Sequence, residues 1–473
     1  MSSITTSNVT SGFIDLATFD EIEKYLYGGH DATAYFVRET RKATWFTQVP
    51  VVLSRAAGSP AFGQEWSVAI SRAGDYMLHT WLRVTFPEVG IKSSAAALDN
   101  TLRLRWTSNL MHNLIRECCI TFNDLIAARF DNYHLDFWAA FTVPASKRTG
   151  YLNMIGHFAD LNAPTSFQSG TLPQKTLNLP LPFFYSRDSG VALPTAALPY
   201  NEMRINFHFR DWNQLLILEK GAANDTFRGE QRMTIIPETH LTTIPALGNT
   251  QVWANYAIVS NDERKRMACA PRDILVEQVQ TAPRQSFTPA SNPQQSFDIR
   301  FSHAIKVLFF AVRNTTWGSE WSNYTTNSPY VKALAGTLFP SSLELTPKGT
   351  ADPIAQTSLI YENTNRLGAM GSDYFSLVNP WFHAPAIPVV TGYHMYSYSL
   401  DFMSLDPMGS TNYGKLTNVS IVPECSTNAV NAARALGADG SGATVTQTFE
   451  FIVTAINNNI IRVSGGALGF PVL

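Results

Sequence analysis

Apolar and polar residues alternate with a period of two along much of the chain. The alternation is clearest at Tyr76–Phe86 and Met203–Phe209, and it recurs at 396–402 and 449–455. A period of two with one apolar face is typical of antiparallel strands that are covered on one side. With 28 glycines and 26 prolines as turn signals, the pattern predicts an all-β protein built from sandwiches or barrels.

Two segments show helical spacing instead. In residues 13–26, Phe13 and Ala17 are spaced to share one helix face, and in residues 131–141 four aromatic side chains fall on one side. Those aromatic residues are Tyr133, Phe137, Trp138 and Phe141. We expect two short helices attached to an all-β body.

The strand pattern ends near Trp212 and resumes at 251–259, with a less periodic segment between. This predicts four parts: an N-terminal arm (1–50), a first body (51–215), a linker (216–250) and a second body (251–473). Three long segments are rich in Ser, Thr, Asn, Gly and Pro, at 144–174, 315–353 and 425–446. We expect them to be loops that gather at one end of each sandwich and build an outward surface.

Composition changes the picture from a monomer to a subunit. The chain has 473 residues, of which 45% are hydrophobic and only 15% charged, against about 25% charged in a typical soluble domain. Charge keeps monomers apart, so this balance favours a subunit whose sides are covered by neighbours over a neutral β-rich monomer. The formal net charge of −2 offers no basic field for a phosphate backbone, which argues against direct nucleic-acid binding.

The four cysteines, Cys118, Cys119, Cys269 and Cys425, form no CxxC pair. Neighbouring Cys118 and Cys119 are too cramped for an ordinary disulfide, so all four are interpreted as buried thiols of a protein assembled in a reducing compartment.

Targeting signals are not recognisable in the sequence. The N-terminus has neither the basic nor the apolar region of a signal peptide, and the near-apolar run 305–312 is too short to span a bilayer. Five N-x-S/T sequons are therefore interpreted as chance matches: Asn8, Asn224, Asn314, Asn323 and Asn418.

The sequence predicts no catalytic, cofactor-binding or metal-ligating residue. Ten scattered histidines lack the spacing that places two ligands on one strand or helix: His30, His79, His112, His134, His157, His208, His240, His303, His383 and His394. His79 and His208 are interpreted as structural. A Ser/His/Asp or Cys/His arrangement made by distant residues stays open, because its members need not be neighbours in sequence.

Other polar clusters have simple structural interpretations. The glycines of 437–442 are expected in a flexible loop and Gly465 and Gly466 in a C-terminal tail. Asp20, Glu21 and Glu23 fit a polar helix face. Residues 262–266 (DERKR) are interpreted as a solvated turn, with a partner-contact patch as the alternative.

Two proline- and glycine-punctuated segments are unusual. In LPLPFFYSRDSGVALPTAALPYNEMR at 179–204, prolines confine the chain to edges and turns, Pro194 and Pro199 are expected to bracket a strand, and the FFY triplet offers buried aromatic area. DPMGSTNYGKLTN at 406–418 predicts a tight, ordered loop with polar groups for its backbone.

These segments resemble the major capsid proteins of the nucleocytoplasmic large DNA viruses, with the iridoviruses the best match. Further matching segments follow in order along the chain, among them YGGHDATAYFVRET at 27–40, DIRFSHAIKVLFFAV at 298–312, SNYT at 322–325 and LIYENTNRLGAMGSDYFSLV at 359–378. The resemblance implies a double jelly roll: two tandem eight-stranded antiparallel sandwiches with a few short helices and long loops.

The resemblance also implies a function. Three chains would form a homotrimeric, pseudo-hexagonal capsomer of an icosahedral virion shell, assembled in the cytoplasm of the infected cell and contacting neighbouring capsomers, minor capsid proteins and penton proteins. The helix at 13–26 is a candidate for contact with minor proteins or an inner viral membrane. Its alternatives are closing the base of the first sandwich and crossing to a neighbouring subunit.

Two other classes of function compete with a shell protein. Exposed aromatic residues and long loops would suit a receptor- or glycan-binding β-sandwich surface protein. A metal-dependent jelly-roll enzyme would need clustered His and Glu on facing strands, and the scattered histidines disfavour it.

Overall fold

The computed structural model describes residues 2–220, 231–232, 236–316, 318–326, 351–434 and 446–471. Several sequence expectations lie wholly or partly outside these ranges: the sequon at Asn224, the glycines of 437–442, most of the expected loop at 315–353, and parts of the expected linker at 216–250 and loop at 425–446. Within the described ranges the chain is rich in antiparallel strands with short helices, so the all-β expectation is confirmed.

Residues 46–259, here called the first half, form three antiparallel sheets around one continuous apolar core. The sheet orders are β1-β13-β4-β9, β2-β3-β10-β6-β7 and β12-β11-β5-β8. The strands are β1 (Phe46–Val52), β2 (Ser54–Gly58), β3 (Glu65–Ala69), β4 (Tyr76–Phe86), β5 (Leu102–Trp106), β6 (Ile115–Phe122), β7 (Leu125–Phe130), β8 (Thr165–Ser166), β9 (Lys175–Pro180), β10 (Met203–Phe209), β11 (Leu216–Lys220), β12 (Gln231–Arg232) and β13 (Gly248–Val259).

Residues 261–471, the second half, form two sheets around a second core. Their orders are β14-β23-β17-β20 and β16-β22-β18-β19; β15 and β24 also pair with β23, and β21 pairs with β17. The strands are β14 (Arg272–Thr281), β15 (Gln285–Phe287), β16 (Phe297–Asp298), β17 (Ala304–Asn314), β18 (Ile354–Tyr361), β19 (Thr364–Gly371), β20 (His394–Ser397), β21 (Thr411–Asn412), β22 (Val419–Cys425), β23 (Phe449–Ser464) and β24 (Ala467–Gly469).

Short helices connect the strands, and one π-helical turn spans Tyr374–Val378. The α-helices are α1 (Ser2–Ala17), α2 (Glu21–Leu26), α3 (Ser93–Leu98), α4 (Leu110–Leu114), α5 (Asn132–Thr142), α6 (Ala145–Ile155), α7 (Ala159–Asn162), α8 (Trp212–Leu215), α9 (Asn261–Cys269), α10 (Asn379–His383) and α11 (Thr427–Ala433).

The helix expected at 131–141 is confirmed as α5, which begins where the Asp131 side chain accepts a hydrogen bond from the His134 amide at 2.9 Å. The single helix expected at 13–26 is wrong. The segment breaks into α1 and α2, because Asp20 begins a new helix and its amide donates to Glu23 Oε2 at 3.2 Å. The turn expected at 262–266 is also wrong, since these residues lie within α9.

The two clearest alternating segments are strands with the expected bounds, β4 and β10. The expected strand at 396–402 is too long: β20 ends at Ser397, whose hydroxyl donates to Ser399 O at 2.7 Å in a turn. Pro194 and Pro199 bracket a 3-10 turn rather than a strand. Pro180 lies in β9, an edge strand, as its missing amide hydrogen requires.

The strand pairing disagrees with the expected start of the second body at 251. β13 pairs with β1 and β4, and β11 pairs with β5, so both belong to sheets of the first half. By its internal packing the chain separates into Met1–Trp45 and Phe46–Leu473. The expected loop at 144–174 contains α6 and α7.

Local environments correct two further expectations. Cys118 and Cys425 are buried and Cys119 half-buried, but Cys269 is exposed at the end of α9. Gly465 and Gly466 do not form a free tail: both have positive φ in the two-residue turn joining β23 to β24. A Cβ atom at Gly466 would lie 2.8 Å from the Tyr200 ring, so this position requires glycine.

Candidate functional site

His79 and His208, the two histidines interpreted as structural, lie on different strands, β4 and β10. His79 is exposed on β4, and the Nδ1 of half-buried His208 lies 4.0 Å from Glu65 Oε1. Within the described ranges, no group of three or more His, Cys, Asp or Glu side chains could hold a metal ion. In the same ranges no helix has the length and apolar character needed to cross a bilayer.

One buried Ser–His–Asp cluster does exist, but its geometry is not that of a catalytic triad. Ser372 Oγ lies 2.7 Å from His394 Nε2, and Asp352 Oδ2 lies 2.8 Å from the same nitrogen. A catalytic histidine uses one ring nitrogen for the nucleophile and the other for the carboxylate. Burial alone would raise the pKa of Asp352, but His394 and the hydrogen bonds from His394, Ser372 and the Ile354 amide hold that pKa below its usual value. The cluster therefore holds the buried side chains of Ser372, His394 and Asp352 together by hydrogen bonds and is interpreted as structural.

The most elaborate constellation lies where the two halves meet. Residues 320–324 (EWSNY), here called the junction segment, belong to the second half but find many partners in the first. SNYT at 322–325, one of the segments that carried the family resemblance, overlaps the junction segment.

Glu320 enters a buried ion cluster. Arg105 on β5 pairs with Glu219 on β11, Nε to Oε1 at 2.5 Å, and its Nη2 pairs with Glu320. Burial alone would lower the pKa of Arg105, but Glu320 and Glu219 raise it above its usual value. A buried charge is tolerated only when it is paired, so Glu320 of the second half depends on Arg105 of the first half.

Asp136 on α5 is the polar centre of the junction. Its Oδ2 accepts hydrogen bonds from Ser322 Oγ at 2.9 Å and Tyr324 Oη at 2.7 Å. Its Oδ1 lies 2.8 Å from His112 Nδ1 and accepts from Asn109 Nδ2 at 3.3 Å. Both carboxylate oxygens are thus saturated, two partners coming from each half.

Trp321 is held by cations and a backbone acceptor. The Arg210 guanidinium lies 3.8 Å from the ring centroid and that of Arg313 lies 4.4 Å away. The indole Nε1 donates to Gln214 O at 3.0 Å. Arg210 belongs to the first half and Arg313 to the second, so the ring joins cations from both.

A second buried ion cluster fixes β14 and β17 of the second half against the first half. Lys306 Nζ lies 2.5 Å from Glu277 Oε1, and Arg187 pairs with the other oxygen of Glu277. The Arg187 guanidinium also lies 3.9 Å from the centroid of the Trp138 ring. Burial lowers the pKa of Arg187, and Glu277 offsets part of that effect.

An apolar layer completes the junction. Phe137 and Phe141 on α5 stack on Phe309 of β17, with centroids 5.8 and 5.4 Å apart. Tyr133, Met395 and Phe402 are buried in the same cluster. Polar and apolar contacts together make the two halves one compact unit.

Among the exposed apolar side chains of the described residues, two groups are considered as contact surfaces. In residues 2–45, here called the arm, they are Val9, Phe13, Ile14, Leu16, Phe19, Ile22, Tyr25, Leu26, Tyr27, Tyr35, Phe36, Val37 and Trp45. On the second half, Trp381 and Phe382 are each 71% exposed and lie near exposed Leu400, whose carbonyl is 2.9 Å from His383 Nδ1. We call Trp381, Phe382 and Leu400 the α10 patch; exposed apolar patches of this kind mark contact surfaces.

Comparisons with known proteins identify the class. The sequence matches the family described as "Major capsid protein N-terminus" over residues 34–259, and that described as "Large eukaryotic DNA virus major capsid protein" over 263–469. The boundary between the two matches falls just after β13, where the first half ends. The chain belongs to the family of large eukaryotic DNA virus major capsid proteins.

Similar sequences are those of iridoviruses. The chain is 66% identical to the major capsid protein of Costelytra zealandica iridescent virus and 53% identical to that of Lymphocystis disease virus 1, with all of each chain covered. The resemblance to iridoviruses is therefore confirmed. The role of the family is structural and not enzymatic, and it favours a shell protein over a receptor- or glycan-binding one.

Solved structures show the same fold at low identity. A quasi-atomic model of the PBCV-1 virus capsid matches with a TM-score of 0.72 and 19% identity, covering 93% of this chain and all of that one. The Faustovirus major capsid protein matches with a TM-score of 0.68 and 11% identity, covering 92% and 93%. The double jelly-roll fold is confirmed.

Proposed function

We propose that three copies of the chain form a pseudo-hexagonal capsomer, and that these capsomers tile the icosahedral outer shell of a large DNA virus assembled in the host cytoplasm. The observation that carries the proposal is the junction, which makes one compact unit of the two halves. Three such units around a threefold axis present six similar wedges, and a closed ring leaves no open contact surface.

The α10 patch is our candidate for part of the contact between subunits. Its two aromatic rings are exposed on a chain of low charge, and aromatic residues are enriched in protein interfaces. A second copy of the same chain is the occupant that a homotrimer requires.

The trimer is tested by light scattering after size exclusion and by negative-stain imaging of the full chain. We expect a threefold particle with a hexagonal outline. Trp381→Ser with Phe382→Ser should shift the protein towards monomer without lowering its melting temperature. Leu98→Ser, which removes an isolated side chain that is 84% exposed, is the matched control. A wild-type monomer at micromolar concentration would overturn the proposal. If the double variant still forms a trimer, the α10 patch is not part of the contact between subunits.

The arm is our candidate for contact on the inner side of the shell, with minor capsid and penton proteins or with the inner membrane. Its support is the exposure of its apolar side chains, including Phe13 and Leu16 on α1. Flotation with vesicles and co-purification with minor capsid proteins distinguish the two partners. Replacing Phe13 and Leu16 with serine should abolish binding to one of them and leave the trimer intact; binding that persists to both would exclude this role.

A further inference from the structure

A cavity of about 280 Å³ lies within the junction, next to the Asp136 cluster. Its walls come from α5 and α6 of the first half and from residues 388–393 of the second. The apolar lining residues are Ala139, Ala140, Val143, Leu152, Ile155, Pro388, Val389 and Val390. A mostly apolar cavity with a few polar groups is the usual form of a small-molecule site.

The polar groups of the lining are mainly hydrogen-bond donors. Ser108 is 4% exposed, and its hydroxyl has no hydrogen-bond partner in the described part of the chain. His157 Nδ1 accepts from the Asn109 amide at 3.3 Å, so its proton is on Nε2, which is left as a donor. Burial lowers the pKa of His157 to about 4, which keeps the ring neutral at neutral pH.

Arg148 supplies a positive charge to the same lining. Its Nη2 donates to Ile387 O at 3.1 Å, and among the described residues its other N–H groups have no hydrogen-bond acceptor. Asp136 also lines the cavity, but its two oxygens already accept from four donors. An incoming group would therefore meet free donors and a cation rather than a free carboxylate.

We propose that this cavity binds a medium-chain fatty acid, with its alkyl tail against the apolar walls and its carboxylate held by Arg148, Ser108 and His157. Carboxylates form strong charge-assisted hydrogen bonds with arginine. Since the walls belong to both halves, a bound molecule fixes one half against the other and raises the melting temperature of the whole body.

The test is calorimetric titration of the full chain with decanoate, with decanol as the neutral control, below micelle-forming concentrations. Shorter carboxylates should bind more weakly, by about fourfold for each methylene removed. Arg148→Gln should weaken decanoate binding about tenfold or more and leave decanol binding unchanged. Arg300→Gln, which removes an exposed arginine of the second half, should change neither.

Two variants fill the cavity from opposite walls, Ala140→Phe on α5 and Val389→Phe on the second half. Each variant should abolish binding of both decanoate and decanol. If both variants lose binding, a folding defect in one of them cannot explain the loss. The proposal is overturned if decanoate fails to bind at millimolar concentration or if the Arg148→Gln variant binds decanoate normally. It is also overturned if either cavity-filling variant is folded and still binds decanoate normally. Failure would leave the trimer proposal intact, because trimer formation is measured without a ligand.

Discussion

The junction segment and the arm differ in how their aromatic side chains are covered. Both contain aromatic residues, yet Trp321, Ser322 and Tyr324 have partners across the junction, whereas Phe13, Tyr25 and Phe36 are each at least 67% exposed. The junction satisfies its polar groups inside one chain. The arm has exposed apolar side chains, and such surface marks a contact site.

We therefore expect the junction to determine the stability of the body and the arm to determine what the protein binds. Changes at the junction should unfold or loosen the body, because buried donors and charges would lose their partners. Changes in the arm should leave the body folded and act only on what the arm binds. Four predictions test this contrast, in order of decreasing effect.

Asp136→Ala should have the largest effect. It removes the acceptor of Ser322, Tyr324 and Asn109 and the partner of His112, and we expect a loss of about 3–5 kcal/mol in the free energy of unfolding. Chemical denaturation measures this loss. Asp406→Ala, at an exposed carboxylate, is the control and should have no measurable effect. Equal stability of the two variants would mean that the Asp136 cluster does not hold the halves together.

The second-largest effect is expected from low pH, which should lower the stability of the junction. Burial, with a smaller effect of Arg187 at His134, lowers the pKa of His134 to about 3, and burial lowers that of His157 to about 4. The unfolded chain titrates near pH 6.5, so it binds more protons than the folded chain below that pH. The free energy of unfolding therefore falls as the pH drops from about 7 to 4, by about 2 kcal/mol per histidine at pH 5.

The pH effect is assigned by comparing melting curves of two variants. His134→Gln should flatten the pH dependence between 7 and 5, whereas His79→Gln, at an exposed position, should leave its shape unchanged. Identical pH profiles for wild type and His134→Gln would rule out His134 as a source of acid sensitivity.

Ser322→Ala should have a smaller effect. The hydroxyl donates to Asp136 and accepts from Asn113 Nδ2 at 3.0 Å, and its removal should cost about 1 kcal/mol. The counterpart in the arm is Ser11→Ala, whose hydroxyl bonds the exposed Asn8 carbonyl. We expect no change there in a denaturation curve. An equal loss for both serines would contradict the contrast between the two regions.

Phe13→Ser in the arm should leave the melting temperature of the body unchanged, because the side chain is 67% exposed. Scanning calorimetry of the full chain measures this. A lowered melting temperature would show that the arm helps to hold the body together, and the arm would then belong with the junction in its role.

Several parts of this fold could be predicted from local pattern alone. The alternation at Tyr76–Phe86 and Met203–Phe209 gave exact strand bounds, and β10 buries one face in the first core as the alternation predicts. The helix predicted from the aromatic stripe at 131–141 was confirmed as α5 for a similar reason. Pattern failed at 396–402, where Leu400 continues the alternation but a turn exposes it.

The junction could not be predicted, and Arg105 shows why. Leu102, Leu104 and Trp106 face the first core, so the alternation places Arg105 on the outer face of that strand. It is nevertheless 2% exposed, and it pairs with Glu219 on the neighbouring strand and with Glu320 across the junction. The only signal in the sequence was indirect, in the matching of SNYT at 322–325 to a capsid family.

Sequence alone determined that this is a low-charge, strand-rich chain of the capsid family, because periodicity and composition are local properties and the family segments are long. Tertiary structure decided where the first half ends, at β13, and which charges are buried. Strand pairing and ion pairing join residues more than a hundred positions apart, as in Arg105–Glu219 and Phe46–Val259. Local pattern carries no information on such partners, since they become neighbours only when the chain folds.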